Sequence, residues 1–134
     1  MKLVSRAPLA LSLTLVLLGA CASMYAAPAT VADGVLVGPN KMTLYTFDRD
    51  VAGSGKSVCN GPCATNWPPL MAAASDKASG DYSIVTRDDG TKQWAMKGKP
   101  LYYWSKDSKP GDKTGDGVNQ VWQLAKPAPR MSGY

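Results

Sequence analysis

Two carboxylates, two tyrosines and two cysteines are the side chains best placed to do chemistry in this chain. Asp50 closes the run Tyr45-Thr46-Phe47-Asp48-Arg49-Asp50, and Asp107 closes Tyr102-Tyr103-Trp104-Ser105-Lys106-Asp107 with the same spacing. Brought together across a pseudo-twofold axis, the two carboxylates and the tyrosine hydroxyls could hold a cation or supply the acid and base of glycoside hydrolysis. The structural alternative is that each Asp holds backbone amides of the glycine-rich loop behind it, or a tyrosine hydroxyl. Asp caps turns and tolerates unusual backbone angles, so the structural reading is preferred.

Cys59-Asn60-Gly61-Pro62-Cys63 places a turn-forming Gly-Pro between two thiols. A disulfide here closes a five-residue loop and stabilises a small domain by about 2 kcal/mol on the chain-entropy estimate. Thioredoxin-like redox sites use two intervening residues at a strand-to-helix junction, whereas this pair has three in a β context, so a structural disulfide is expected. Cu(I) binding through sulfur is the remaining alternative, but the six methionines form no Met-x-Met or Met-x-x-Met cluster.

The absences narrow the chemistry further. With no His and no Glu in 134 residues, the chain lacks the commonest general base, the usual zinc ligands and any Ser–His or Cys–His nucleophile pair. Asp112, Asp116 and Asn119 alternate with glycines, but the EF-hand spacing and its closing Glu are missing. That segment is expected to be a polar surface loop. No catalytic residue, metal or cofactor is expected.

The elements that must position these side chains are short β-like runs punctuated by Gly, Pro, Asn and Asp. Val35-Leu36-Val37 and Met42 to Phe47 flank Gly38-Pro39-Asn40-Lys41 as a hairpin. Tyr82 to Arg87 and Thr91 to Met96 flank Asp88-Asp89-Gly90. Gly98-Lys99-Pro100 turns into a strand over Leu101 to Trp104, and Val121 to Leu124 forms the last strand. Around Cys63 to Trp67 a single helical turn is stopped by Pro68-Pro69. Within a strand, Tyr45 and Phe47 share one face and Leu44 and Thr46 the other, and likewise Tyr102 and Trp104 against Leu101 and Tyr103. Tyr and Trp outnumber the single Phe, so most rings carry a polar handle, which suits surfaces that stack against sugars or proteins and equally a small core with a wet edge.

The first 20 residues read as a leader. Lys2 and Arg6 flank a positive start, residues 8–19 are apolar but too short to span a bilayer, and Leu18-Gly19-Ala20-Cys21 follows. That run resembles the lipobox of bacterial lipoproteins, in which the cysteine is acylated and becomes the first mature residue. Ala20-Cys21-Ala22 also fits a plain secretory cleavage site. Ala22, rather than Asp, after the cysteine favours an outer membrane where the host has one. With Cys21 assigned to lipid, Cys59 and Cys63 are left as an even pair for an oxidising compartment. Residues 21–33 are small and aperiodic and are expected to be a flexible tether, with a span of about 20 Å for twelve such residues. The domain is expected over 34–127 and a frayed tail over 128–134.

Loss of the leader leaves 13 basic residues against 10 Asp, a net charge of about +3. No Lys/Arg run exceeds two, which argues against nucleic acid as a partner. The expected partners are the membrane, through the lipid, and envelope proteins or polysaccharide.

The two aromatic–Asp runs belong to an internal repeat. Each begins Leu-Tyr, places an aromatic two residues on and Asp three after that, then passes a glycine-rich loop to a tryptophan: Trp67 lies 22 residues after Tyr45 and Trp122 lies 20 after Tyr102. Repeat 1 spans about 34–75 and repeat 2 about 82–125, each too small to be stable alone. The Tyr-x-aromatic-x-x-Asp motif, Cys-x-x-x-Cys before Trp67-Pro68-Pro69-Leu70, and Gly98-Lys99-Pro100-Leu101-Tyr102 resemble the secreted-repeat lipoproteins with a Yx(F/W/Y)xxD motif. The resemblance covers residues 34–125 and names a family without naming a reaction, since that family carries no established activity. The expectation of a non-catalytic envelope module rests on the lipid anchor, the absence of His and Glu and motif residues that look structural. Members often have His directly after the second tryptophan, where this chain has Gln123. The expected fold is therefore a small, mainly β single domain of two related hairpin or meander repeats, with one short helical turn and one disulfide.

Overall fold

The computed structural model describes residues 27–129. Cys21 and the leader lie outside the described residues. The described residues are mainly β, with eight short strands, one helical turn and one 3-10 turn among them.

Strands β1 (Thr30–Ala32) and β2 (Val35–Val37) form an antiparallel hairpin with Ala32 opposite Val35. Its two-residue turn is Asp33-Gly34, with both φ values positive, 50° and 79°. Asp-Gly adopts this geometry at little cost, and its twist matches that of the strands it joins. β3 (Tyr45–Phe47) pairs with β8 (Trp122–Leu124). The other sheet contains β4 (Met71–Ala72), β5 (Tyr82–Thr86), β6 (Lys92–Met96) and β7 (Lys99–Pro100), with β6 central. Helix α1 (Pro62–Asn66) opens on a proline at its first turn and ends at Trp67, ahead of Pro68-Pro69.

The two repeats exchange partners. In one half Leu36 N donates to Ala125 O at 2.8 Å, Leu44 N to Leu36 O at 2.9 Å, and Ala125 N to Leu44 O at 2.9 Å. In the other half Trp94 N donates to Leu70 O at 2.8 Å, Leu101 N to Trp94 O at 2.9 Å, and Leu70 N to Leu101 O at 2.9 Å. The first set is closed by a segment of repeat 2, the second by a segment of repeat 1. The halves meet where Tyr45 N donates to Tyr102 O at 2.7 Å and Tyr102 N to Tyr45 O at 2.9 Å.

Side-chain alternation on these central strands divides the core in two. Leu36, Leu44, Leu70, Trp94, Met96 and Leu101 pack on one side, and Tyr45, Phe47, Cys59, Trp67, Tyr102 and Trp122 on the other. Leu44 and Leu101 are fully buried, each contributing about 1.5–3 kcal/mol by leaving water.

The structure departs from the sequence reading in three places. The ordered sheet begins at Thr30, inside the stretch assigned to the tether, because Asp33-Gly34 folds it back onto β2. The second turn lies at Lys97-Gly98, since Met96 pairs with Lys99, so Lys99 and Pro100 are strand residues. Leu101 to Trp104 is not one continuous strand: Tyr102 pairs singly with Tyr45 and with Pro69, because the chain here passes from one half to the other.

Candidate functional site

The crossed pairing of the repeats carries over to the motif side chains. The Tyr45 hydroxyl of repeat 1 donates to Asp107 Oδ2 of repeat 2 at 2.6 Å, and the Tyr102 hydroxyl of repeat 2 donates to Asp50 Oδ2 of repeat 1 at 2.5 Å. The remaining oxygens serve their own loops. Asp50 Oδ1 accepts from Val58 N at 2.8 Å, while Asp107 Oδ1 accepts from Thr114 N at 3.0 Å and Thr114 Oγ1 at 2.5 Å. Asp50 is 3% exposed and Asp107 9%, so both carboxylates are committed inside the fold. Burial first, then the adjacent carboxylate, holds both tyrosine hydroxyls well above the ordinary tyrosine range.

Behind the Asp50–Tyr102 pair lies a buried polar chain. Ser57 Oγ is 2.6 Å from the Tyr102 hydroxyl and accepts from Arg87 Nη1 at 3.0 Å. Arg87, 4% exposed, also donates to Gln93 Oε1 at 2.7 Å and to Cys59 O at 2.5 Å. Gln93 Nε2 in turn donates to Leu101 O at 2.7 Å. A buried cation of this kind is tolerable because its donors are matched by oxygens at close range. The sequence reading missed Ser57, Arg87, Gln93 and Thr114. Ser57 and Thr114 were findable, since their separation of 57 residues equals that of Tyr45 and Tyr102 and of Asp50 and Asp107. Arg87 and Gln93 have no counterpart in repeat 1 and gave no signal.

The aromatic residues form a ladder in which the repeats alternate. Phe47 stacks on Trp122 at 4.3 Å between centroids, Trp122 on Trp67 at 3.7 Å, and Trp67 on Trp104 at 3.9 Å. Tyr45 meets Trp67 edge-on at 5.4 Å, and Tyr102 meets Trp122 edge-on at 5.2 Å. The arrangement reads the same from either end with the repeats interchanged. Its inner faces are covered by neighbouring rings, leaving half-buried Trp104 as the outer rung, with Lys106 Nζ 5.6 Å from its ring centroid. Gly115 permits the close packing, because a Cβ there would lie 2.9 Å from both Trp67 and Tyr45.

Cys59 and Cys63 form a disulfide. Cys59 is fully buried beside the ladder and Cys63 is half-buried. The bridge fixes the loop that presents Ser57, Val58 N and Cys59 O to the polar chain. In the Lys109–Asn119 segment, Asp112 Oδ2 accepts from Ser108 N and Oγ, both at 2.9 Å, and from Lys109 N at 3.2 Å. The Ser108 backbone bond, foremost, holds its carboxyl below the usual range. Gln123 is exposed and donates to Asp48 Oδ2 at 3.3 Å. Among the described residues no three Cys or Asp side chains converge to hold a metal ion.

The structure thus brings Tyr45, Phe47, Asp50, Trp67, Tyr102, Trp104, Asp107 and Trp122 into one layer, as two hydrogen-bonded Asp–Tyr pairs and one ring ladder. The family described as a secreted repeat of unknown function matches residues 28–71 and 83–126. The chain belongs to that family, with both repeats present. No curated protein and no solved structure matches it.

Proposed function

We propose that this member of the secreted-repeat family is a lipid-anchored module of the bacterial cell envelope that binds or scaffolds and does not catalyse. The supporting observation is the crossed pairing itself. A general acid or base must reach substrate within hydrogen-bond distance, whereas Asp50 and Asp107 are buried and each spends both oxygens on internal donors. The lipobox at Leu18 to Cys21 supports the anchor, and Ala22 favours an outer membrane where the host has one. Among the described residues no helix is long and apolar enough to cross a membrane.

The test has two arms. Cells fed labelled palmitate should incorporate it into the wild-type chain and not into Cys21→Ser. The protein purified from those membranes should leave glycoside and ester substrates unchanged. Robust turnover that Asp50→Ala with Asp107→Ala abolishes would establish a carboxylate hydrolase instead.

A redox or metal-handling lipoprotein is the second reading, favoured by the partial exposure of Cys63. It requires a disulfide potential near or above that of the glutathione couple, or metal uptake seen by native mass spectrometry.

A further inference from the structure

The two ends of the ring ladder differ, and the difference leaves a groove. Phe47 of repeat 1 occupies the place that Trp104 fills in repeat 2, and it is the only phenylalanine in the chain. Beside the smaller ring opens a surface groove of about 360 Å³, whose floor includes Phe47, Trp67 and Trp122 and whose rim carries Arg49, Asn66 and Asn119. At the other end, Lys106, the repeat mate of Arg49, lies over the Trp104 ring. Arg49 has no such occupation: it is exposed, as are Asn66 and Asn119. Among the described residues, the side chains of these three have no hydrogen-bond partner.

The loop that delivers Asn119 is itself costly. Asn119 and Gln120 are consecutive left-handed residues, with φ of 51° and 60°. L side chains rarely adopt that conformation, although Asn tolerates it better than most. Strained residues persist where surrounding structure holds them, and they gather at ligand clamps.

We infer that this groove binds an acidic saccharide, its carboxylate on Arg49 and its hydroxyls on Asn66 and Asn119. The choice of ligand rests on the envelope-binding reading. A guanidinium fork matches a carboxylate in a bidentate fashion. A carboxamide both donates and accepts, as a sugar hydroxyl does, whereas a phosphate group would be met well only by donors. The floor rings are nearly buried, with Phe47 7%, Trp67 4% and Trp122 3% exposed, so the groove holds a sugar by its polar rim and the rings only close its base. The groove's lining includes none of Tyr45, Asp50, Tyr102 and Asp107, so it uses none of the side chains of the crossed Asp–Tyr pairs.

The experiment titrates the full-length protein, purified from membranes in detergent, with tetragalacturonate, and with a neutral galactan tetrasaccharide and inorganic phosphate as controls. Tryptophan fluorescence and calorimetry follow binding. Saturable binding of the acidic tetrasaccharide alone is expected. Arg49→Gln and Asn119→Gly should each weaken it at least about tenfold. Glycine relieves the left-handed strain, so Asn119→Gly should keep or raise the thermal midpoint while losing affinity, a combination that a purely structural Asn119 does not produce. Phe47→Trp, which gives repeat 1 the ring of repeat 2, should fill the groove and abolish binding. The inference is overturned by no binding of the acidic tetrasaccharide, by equal binding of the neutral sugar or phosphate, or by full affinity in both Arg49→Gln and Asn119→Gly. The palmitate label judges the anchor separately: with the label intact, any of these outcomes sinks the groove alone.

Discussion

Tyr45 and Asp107 stand 62 residues apart in the chain, yet the hydroxyl of one donates to the carboxylate of the other at 2.6 Å inside the core. Tyr102 and Asp50 repeat the relationship in reverse. Each repeat therefore completes the other's motif, which is a structural use of residues whose types alone suggest an active site.

Removing either carboxylate should unfold the domain more readily. Asp107→Ala leaves the buried Tyr45 hydroxyl and the part-buried Thr114 N without their acceptor, and Asp50→Ala does the same to the buried Tyr102 hydroxyl and the part-buried Val58 N. The expected loss is about 3 kcal/mol in each case, the range for a charged hydrogen-bond partner removed from a core. Urea denaturation measures it, and a change below half a kilocalorie in both variants contradicts the pairing.

Alkaline pH should expose the tyrosines through stability. The folded state holds Tyr45 and Tyr102 protonated beyond the ordinary value of about 10. A group with a raised folded pKa contributes stability that is complete below its unfolded pKa and is lost as pH climbs from there toward the folded value. The domain should thus hold its stability up to about pH 10 and weaken steadily above it. Tyrosinate absorbance from these two residues should rise only together with loss of near-ultraviolet circular dichroism. Tyr45→Phe should flatten the pH dependence.

The ladder predicts an optical signature. Trp67 lies between Trp122 and Trp104 at 3.7 and 3.9 Å, so its indole couples with both. Trp67→Phe should remove most of the exciton signal in circular dichroism while the fold survives. Trp67→Ala, which opens a cavity in the middle of the stack, should cost about 3–5 kcal/mol.

Reduction of Cys59–Cys63 should cost more than its loop length alone implies. Closing five residues gives about 2 kcal/mol, and the same loop supplies Cys59 O to Arg87 and Ser57 to Tyr102. Cys59→Ala with Cys63→Ala should therefore lower the denaturation midpoint and speed hydrogen exchange at Val58 N. An unchanged midpoint contradicts a structural bridge.

Much of this layout was legible in the residues. The repeat spacing placed Tyr45 with Tyr102 and Asp50 with Asp107, period-two alternation put Leu44 and Leu101 opposite the rings, and Pro68-Pro69 ended the helix. The crossing was not legible, because hydrophobic alternation fixes which face a strand buries and leaves open which strand lies beside it. Arg87 and Gln93 were hidden for a related reason: each looks like an ordinary exposed polar residue until the fold buries it among oxygens. The Asp33-Gly34 turn signal stands in the sequence, but the strands it joins are three residues each, too short to show a period of two.

Interleaving has a consequence for the integrity of the chain. The link between the repeats, residues 73–81, is mostly exposed, while the Asp–Tyr pairs, the stacked rings and the closing segment of each half all run between repeats. A protease nick in that link severs the backbone and leaves the two fragments clasped, each supplying the segment that closes the other's sheet. Two separately made fragments, one for each repeat, should reconstitute the same molecule by complementation, while neither fragment has a closed sheet of its own.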